Sequence, residues 1–215
     1  MPIEDISIYA IPIRVVDIEN HEQVLEAFSP WIKEKHPNLR SIRGWECDTK
    51  TTFGKDSRQF PFKVLRSSLG KHVQGYFEEF LRPQNGATIV EKEIWLNVYS
   101  KGDYQEIHNH LMMNTVVSVA YMLKLPSRSG SIVFYRSGDT FFRSLSDFVR
   151  PDFSRDSVTP NLREGQAVLF PSFLPHYVSP HQGDNLRATI SANYDVSHPE
   201  LATLGSEERK AKTGE

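Results

Sequence analysis

Residues 95–110 read WLNVYSKGDYQEIHNH, and their pattern indicates two β-strands joined by a turn. The stretch begins as an apolar and aromatic run, breaks at a turn around Gly102, and ends in a second run that carries His108 and His110. Side chains two residues apart on a strand point to the same face of the sheet. The two histidines are therefore predicted to present their imidazoles together on one strand.

The β pattern of this stretch continues through the rest of the chain. Turn signals rich in Gly, Pro, Ser and Asn separate short runs of β-branched and aromatic residues. Several such strands with little helix between them predict a mainly β fold, an antiparallel sandwich or barrel. The predicted strands are ATIVEKEIWLNVYS, DYQEIHNH, TVVSVAYMLKL, GSIVFY, QAVLFP and LRATISANY.

The first part of the chain has a helical pattern instead. After a predicted strand over Ile6–Val16, Asn20 is expected to cap a helix that runs through Phe28, with Pro30 at its end or at a kink. The clearest helix is predicted over Pro61–Leu81, where apolar residues recur every three or four positions.

Length and composition predict a single domain of ordinary globular composition. The chain has 215 residues, of which 39% are hydrophobic and 24% are charged. We expect residues 1–86 to form a helical support layer with an N-terminal strand, residues 87–195 a β core, and residues 196–215 a tail.

Charge and cysteine content exclude several functional classes. A net charge of -2 argues against general binding of nucleic acid, and no apolar run approaches the roughly 20 residues of a membrane span. Cys47 is the single cysteine, which excludes an internal disulfide and a cysteine-based zinc site. The acidic, proline-containing N-terminus does not look like a secretory signal, so a cytoplasmic location is predicted.

The histidines His108 and His110 are expected to share a metal ion with His176. Imidazole is a good ligand for iron and other first-row metals, and His176 follows a predicted strand, Ala167–Phe170, that a barrel could place opposite the first. Lone histidines are more often surface or hydrogen-bonded residues. That interpretation applies to His21, His36, His72, His181 and His198.

Glu106 has the same strand parity as His108 and His110. Three interpretations stay open for it: an acceptor that orients an imidazole from outside the ligand set, a reserve ligand, or a solvated charge at the rim. The first is preferred, because metal-bound histidines usually donate their second ring N–H to an oxygen acceptor.

Two segments resemble the Fe(II)/2-oxoglutarate-dependent oxygenases, most closely a small bacterial and phage branch. Tyr99 and Gly102 precede His108 by nine and six residues, as in the family's first metal segment. The far segment is similar to the family's second half, with a distal histidine at His176 and the pattern R-x-T from Arg187.

The resemblance implies a double-stranded β-helix, a jelly-roll or cupin-like barrel, with an N-terminal helical layer. It implies Fe(II) and the cosubstrate 2-oxoglutarate, with ascorbate as a candidate reductant, and the conversion of 2-oxoglutarate and O2 to succinate and CO2 as a prime substrate is oxidised. The metal ligands would be His108, His110 and His176. The cosubstrate-binding residues would be Arg187, Thr189, Tyr99 and Asn97.

The sequence departs from the family pattern at one position. The common facial triad is H-x-D/E…H, and His110 stands where the carboxylate would be. His110 is taken as the third ligand. If it is not, either Glu106 would supply the carboxylate or the iron would have an open position.

Two other functions compete with this one. A cupin-type three-histidine dioxygenase or isomerase would use a similar barrel, but Asn114 and Thr115 stand where a cupin's glutamate is expected, and such an enzyme would not need Arg187. A noncatalytic ligand-binding barrel would use the histidines structurally.

The substrate is not encoded in a motif. The polar segment Ser144–Asn161, with Arg143, Arg150 and Arg155, is expected to form a loop at the mouth or a solvated surface. The prime substrate is expected to be a small molecule or a peptide, and a homodimer is one open possibility.

Overall fold

The computed structural model describes residues 11–33, 39–41, 46–47, 49–83, 85–111, 115–135 and 157–198. Two α-helices lie in these residues, α1 (His21–Lys33) and α2 (Lys63–Tyr76), with a 3-10 helix over Ser57–Gln59 between them. The strands are β1 (Arg14–Asp17), β2 (Lys50–Thr51), β3 (Thr88–Tyr99), β4 (Gln105–His108), β5 (Thr115–Lys124), β6 (Ile132–Tyr135), β7 (Ser157–Val158), β8 (Gln166–Pro171), β9 (His176–Val178) and β10 (Arg187–Ser197).

The strands form two antiparallel sheets. The larger has the order β1-β8-β5-β10-β3-β2, and the smaller has the order β4-β9-β6-β7. This is the predicted mainly β architecture, a double-stranded β-helix, and each predicted strand in the second half is present. The short strands β2, β7 and β9 were not predicted, because a run of two or three residues is too short to show the alternating pattern of a strand.

The outer face of the larger sheet packs against the two helices. Ile94 and Leu96 of β3 and Ile190 of β10 join one buried cluster with Phe28 of α1 and Leu69 of α2. Alternate residues of each strand point outward into this cluster, and the residues between them point into the barrel. The helices therefore cover one face of the sheet and leave the inner face for a site.

The start and the end of α1 differ from the prediction. Asn20 does not cap α1 with its side chain, because its amide donates to the carbonyl of Val64 at 2.7 Å and its oxygen accepts from the Ser68 hydroxyl at 2.6 Å. It fastens α1 to α2 instead. The helix also runs past Pro30 to Lys33. Pro30 lies on the exposed side of α1, where a carbonyl that loses its helical partner can be hydrated.

The helix predicted over Pro61–Leu81 is confirmed with a change at its end. The α-helix covers Lys63–Tyr76 and continues as a π-helical turn over Phe77–Leu81. Arg82 then adopts a left-handed conformation, with φ of 47°, and Pro83 prevents further helix.

Several predicted segments fall partly or wholly outside the described residues. Of the predicted strand Ile6–Val16, only the end is described, where β1 pairs with β8. Within Ser144–Asn161, the described part begins at Ser157, and β7 pairs with β6 there. Arg143, Arg150 and Arg155 and most of the tail lie outside the description, and the predicted single-domain division stays a prediction. None of the described helices has the length and apolarity needed to span a membrane.

The helical layer gives a direct test of the fold. Leu69 is 1% exposed between α2 and the sheet, so Leu69→Ala should lower the free energy of unfolding by about 2–5 kcal/mol through lost burial and the cavity left behind. For a chain of this size the melting temperature should fall by roughly 2–4 °C per kcal/mol. Ser67→Ala, on the exposed face of the same helix, should change the free energy of unfolding by less than about 0.5 kcal/mol.

Candidate active site

The inner faces of β3 and β10 line one side of a cavity of about 320 Å³. The register places alternate residues of the two strands opposite each other: Arg187 with Tyr99, Thr189 with Asn97, Ser191 with Trp95, and Asn193 with Glu93. Most of these side chains line the cavity together with three histidines from the other side of the barrel.

The three predicted metal-site histidines lie together at this cavity. His108 and His176 are directly paired across β4 and β9, and their ring centroids are 4.4 Å apart. His110 lies 5.2 Å from the ring of His108 and 4.9 Å from that of His176. One candidate ligand atom from each imidazole lies within 4.8 Å of the others, which makes them the one group of this kind among the described residues.

The route by which the chain brings these residues together differs from the prediction in two respects. β4 ends at His108, so strand parity alone does not place His110; the His110 amide instead donates to the Ser172 carbonyl at 2.8 Å. The strand that contains Ala167–Phe170 lies in the other sheet, paired with β1 and β5. The strand opposite His108 is β9, which begins at His176 itself.

Hydrogen bonds at Nδ1 fix the tautomer of two of the imidazoles. Nδ1 of His108 lies 2.7 Å from the carbonyl oxygen of Glu106, and Nδ1 of His176 lies 2.9 Å from that of Leu174. A carbonyl oxygen only accepts, so Nδ1 carries the proton in both rings. Nε2 is then the unprotonated nitrogen of each neutral imidazole, which is the form that binds a metal.

Burial keeps all three imidazoles neutral. Desolvation lowers the pKa of His108, and the same effect together with the neighbouring His108 lowers the pKa of His110 to about 4. The pKa of His176 falls to about 3, chiefly through burial and also through the two nearby histidines. At neutral pH the cluster therefore presents three uncharged nitrogen donors.

Arg187 lies deep in the cavity wall and is 1% exposed. Its guanidinium carbon lies 4.3 Å from the centroid of the Tyr99 ring, and its Nη2 makes only a long contact of 3.9 Å with the Met122 sulfur. Nε and Nη1 are buried without a protein partner among the described residues. A fully buried guanidinium without a carboxylate is costly, so this end of the cavity is suited to an anion.

The other predicted cosubstrate residues occupy different positions. Tyr99 and Thr189 line the cavity beside Arg187. Asn97 is buried and does not line the cavity; its amide donates to the Ser191 hydroxyl at 3.2 Å, and its Oδ1 is without a partner in the described part of the chain. A contact of Asn97 with the cosubstrate stays a prediction.

Glu106 contributes to the site through its backbone. Its carbonyl oxygen accepts from His108, whereas its Oε1 accepts from the backbone amides of Glu46, at 2.6 Å, and Cys47, at 3.1 Å. Burial raises the pKa of Glu106, but hydrogen bonds from its own backbone amide and from the amides of Cys47 and Glu46 outweigh that effect and lower the pKa overall. The carboxylate thus holds the 46–47 segment against β4 and is not part of the metal-ligand group found in the described residues.

The described histidines outside the cluster have structural partners, as expected. His21 shares a 2.6 Å hydrogen bond with the Tyr121 hydroxyl, and His181 bonds to the Asn185 carbonyl at 2.7 Å. His198 bonds to the Asn85 carbonyl at 2.7 Å, and His72 lies near Glu19. His36 lies outside the described residues.

Several cavity residues were not predicted from the sequence. Phe53 and Trp95 form an edge-to-face pair with centroids 5.1 Å apart, and Trp95 in turn lies 5.9 Å from His110. Glu93 lies two residues before Trp95, and Asn193 lies two residues after Ser191, so the alternation of strand side chains points both of them into the barrel. This alternation is the one feature of the sequence that predicts their position. Their pairing with each other depends on the register of β3 against β10, which no motif specifies.

The fold is shared with solved oxygenase structures. A Pseudomonas putida prolyl-4-hydroxylase matches over 86% of this chain and 93% of its own, with 12% identity and a TM-score of 0.57. The non-heme α-ketoglutarate-dependent epimerase SnoN from nogalamycin biosynthesis matches over 86% and 76%, with 14% identity and a TM-score of 0.60. HygX from Streptomyces hygroscopicus, solved with nickel, 2-oxoglutarate and hygromycin B, matches over 86% and 83%, with 12% identity and a TM-score of 0.57.

Sequence identities of 12–14% show a common fold only, whereas a family model matches the sequence itself. Residues 93–193 match the family described as "Putative 2OG-Fe(II) oxygenase". This segment runs from Glu93 to Asn193 and contains the three histidines and Arg187. No curated protein matches the chain. Residues 93–193, which supply most of the cavity wall, are thus similar to the Fe(II)/2-oxoglutarate-dependent oxygenases.

Proposed function

We propose that this protein is an Fe(II)- and 2-oxoglutarate-dependent hydroxylase, in which His108, His110 and His176 hold Fe(II) and Arg187 binds the distal carboxylate of 2-oxoglutarate. The observation that carries the proposal is a buried guanidinium, without a carboxylate partner among the described residues, in the same cavity as three neutral imidazoles. The overall reaction would convert 2-oxoglutarate, O2 and a C–H group to succinate, CO2 and the corresponding alcohol, one oxygen atom entering each organic product.

The donor set fits a divalent first-row metal. Each of the three histidines offers a nitrogen donor, and imidazole nitrogen suits iron. Bound Fe(II) would supply the redox chemistry that activates O2. The chain itself holds the rings in place through Nδ1 bonds, to backbone carbonyls for His108 and His176 and to the Asn193 side chain for His110, so the rings do not need to be ordered when the metal binds.

Arg187 and its neighbours fit a carboxylate. The guanidinium is planar, always charged, and able to give a carboxylate two parallel hydrogen bonds. The Tyr99 ring supports it from one side, which limits the directions from which an anion can approach. Thr189 follows Arg187 by two residues on the same face of β10, and its hydroxyl would donate a third hydrogen bond to the carboxylate.

The remaining cavity wall is assigned to the prime substrate. Phe53, Trp95 and Leu111 line the cavity on the side of His110, and Phe53 and Leu111 are 40% and 68% exposed. These apolar side chains would exclude water from the reacting group and receive an uncharged part of a small molecule or a peptide.

The reductant and the cellular location are also part of the proposal. Ascorbate is proposed as a reductant that restores oxidised iron, and a cytoplasmic location is proposed on the basis of the single cysteine, which is buried. A cupin-type enzyme is disfavoured by Arg187, because that function has no use for a buried anion site.

The metal assignment predicts the effect of removing single ligands. His176→Ala and His110→Ala should each weaken binding of Co(II), measured by calorimetry and by the visible spectrum of the bound ion, by more than the 10–100-fold that changes outside the ligand set typically cause. His198→Ala, a histidine bonded to the Asn85 carbonyl, should leave the affinity unchanged. Equal Co(II) affinity in all four proteins would contradict the assignment.

The Arg187 assignment predicts opposite changes in two measurements. Arg187→Met replaces an unpaired buried charge by an apolar side chain of similar length, so the melting temperature of the ligand-free protein should stay the same or rise. The stabilisation by 2-oxoglutarate in the presence of Ni(II) should disappear, with affinity for 2-oxoglutarate reduced at least about 30-fold.

A matched control separates this effect from general loss of positive charge. Arg163 is paired with Asp17 at the surface, and Arg163→Met should retain the response to 2-oxoglutarate. An Arg187→Met protein that is folded and still stabilised by 2-oxoglutarate as strongly as the wild type would overturn the assignment of Arg187.

A further inference from the structure

We infer that Glu93 is a positioning residue of the metal site, acting on His110 through the side-chain amide of Asn193. The inference rests on the proposed function, since it assumes that His110 is a metal ligand. The common ligand set binds the metal directly through one carboxylate. In this chain the Glu93 carboxylate is instead linked to the ligand His110 by two successive hydrogen bonds.

The hydrogen bonds of Asn193 run in one direction. Its Nδ2 lies 2.7 Å from Oε1 of Glu93, and its Oδ1 lies 2.7 Å from Nδ1 of His110. A carboxylate only accepts, so the atom that faces Glu93 must be the amide nitrogen. Asn193 therefore turns its oxygen toward His110, and His110 must donate from Nδ1.

This direction decides which nitrogen of His110 is able to bind a metal. With the proton on Nδ1, the lone pair is on Nε2. If the Asn193 amide were reversed, its nitrogen would face His110, Nδ1 would have to accept, and the proton would move to Nε2. His108 and His176 avoid this ambiguity because their Nδ1 partners are backbone carbonyls. His110 has no backbone carbonyl partner at Nδ1 in the described structure, so its tautomer depends on Asn193 and hence on Glu93.

Serine hydroxyls complete the arrangement around His110. Ser118 donates to Oδ1 of Asn193 at 2.8 Å and lies 2.9 Å from Nδ1 of His110. Its hydroxyl also lies 2.9 Å from that of Ser172, whose backbone carbonyl accepts from the His110 amide. The amide of Asn193 is 1% exposed, so its orientation is set by these protein groups and not by solvent.

The charge balance of the loaded site points to the same role. With three neutral imidazoles as ligands, the two positive charges of Fe(II) balance the two negative charges of 2-oxoglutarate, and the positive charge of Arg187 remains unbalanced. In the common set of two histidines and one carboxylate, the carboxylate ligand balances that charge. Glu93 lines this cavity and supplies one negative charge at the His110 end, so the site as a whole returns to neutrality, which burial favours.

The test exchanges the two ends of the Glu93–Asn193 hydrogen bond. Glu93→Gln keeps the size of the side chain but lets both amides turn either way and removes the charge. It should weaken Co(II) binding by 10-fold or more and change the visible spectrum of bound Co(II). The double variant E93Q/N193D restores a single direction, because the amide at 93 must donate to the carboxylate at 193, which accepts from His110. It should recover wild-type affinity to within a few-fold.

The control is Glu91→Gln on the same strand, where the carboxylate bonds to Arg66 of α2; its Co(II) affinity should equal that of the wild type. Melting temperatures of the metal-free variants show whether each protein is folded. Unchanged affinity in Glu93→Gln, or a double variant that binds no better than Glu93→Gln, would overturn the inference. If the wild type itself bound no Co(II), the proposed function would fail instead.

Discussion

The pairing of β10 with strands on both sides is the constraint on which the site depends. β10 is held by β3 along one edge and by β5 along the other. Its inner face therefore presents Arg187, Thr189, Ser191 and Asn193 in a fixed row. Arg187 would bind the proposed cosubstrate carboxylate, and Asn193 contacts His110, a proposed metal ligand. A shift of β10 by one residue would turn the whole row into the helical core.

The same strand explains why the helices matter to the chemistry. Ala188, Ile190 and Ala192 point outward into the apolar cluster with α1 and α2, and Asn20 fastens the two helices to each other. The outward residues bind β10 to a rigid layer, so that the inward residues are positioned before any ligand arrives. Preorganised donors of this kind reduce the ordering that binding otherwise requires.

Strand parity predicted part of the fold and site, and long-range register determined the rest. The periodicity of the second half predicted its strands. The spacing of His108, His110, His176 and Arg187 resembled the oxygenase family whose model matches residues 93–193. Local pattern could not show that β9, a strand of three residues, would pair with β4. Glu106 shared parity with the histidines, yet its carboxylate is bonded to the amides of Glu46 and Cys47, far away in sequence.

If one cavity binds iron and 2-oxoglutarate together, the visible spectrum of the protein should report it. Under anaerobic conditions, titration of the Fe(II)-loaded protein with 2-oxoglutarate should produce a saturable visible absorption band that arises from charge transfer between iron and the chelating keto acid. Succinate, which lacks the keto group, should produce no such band. Fe(II) binding without any visible band on addition of 2-oxoglutarate would contradict the account.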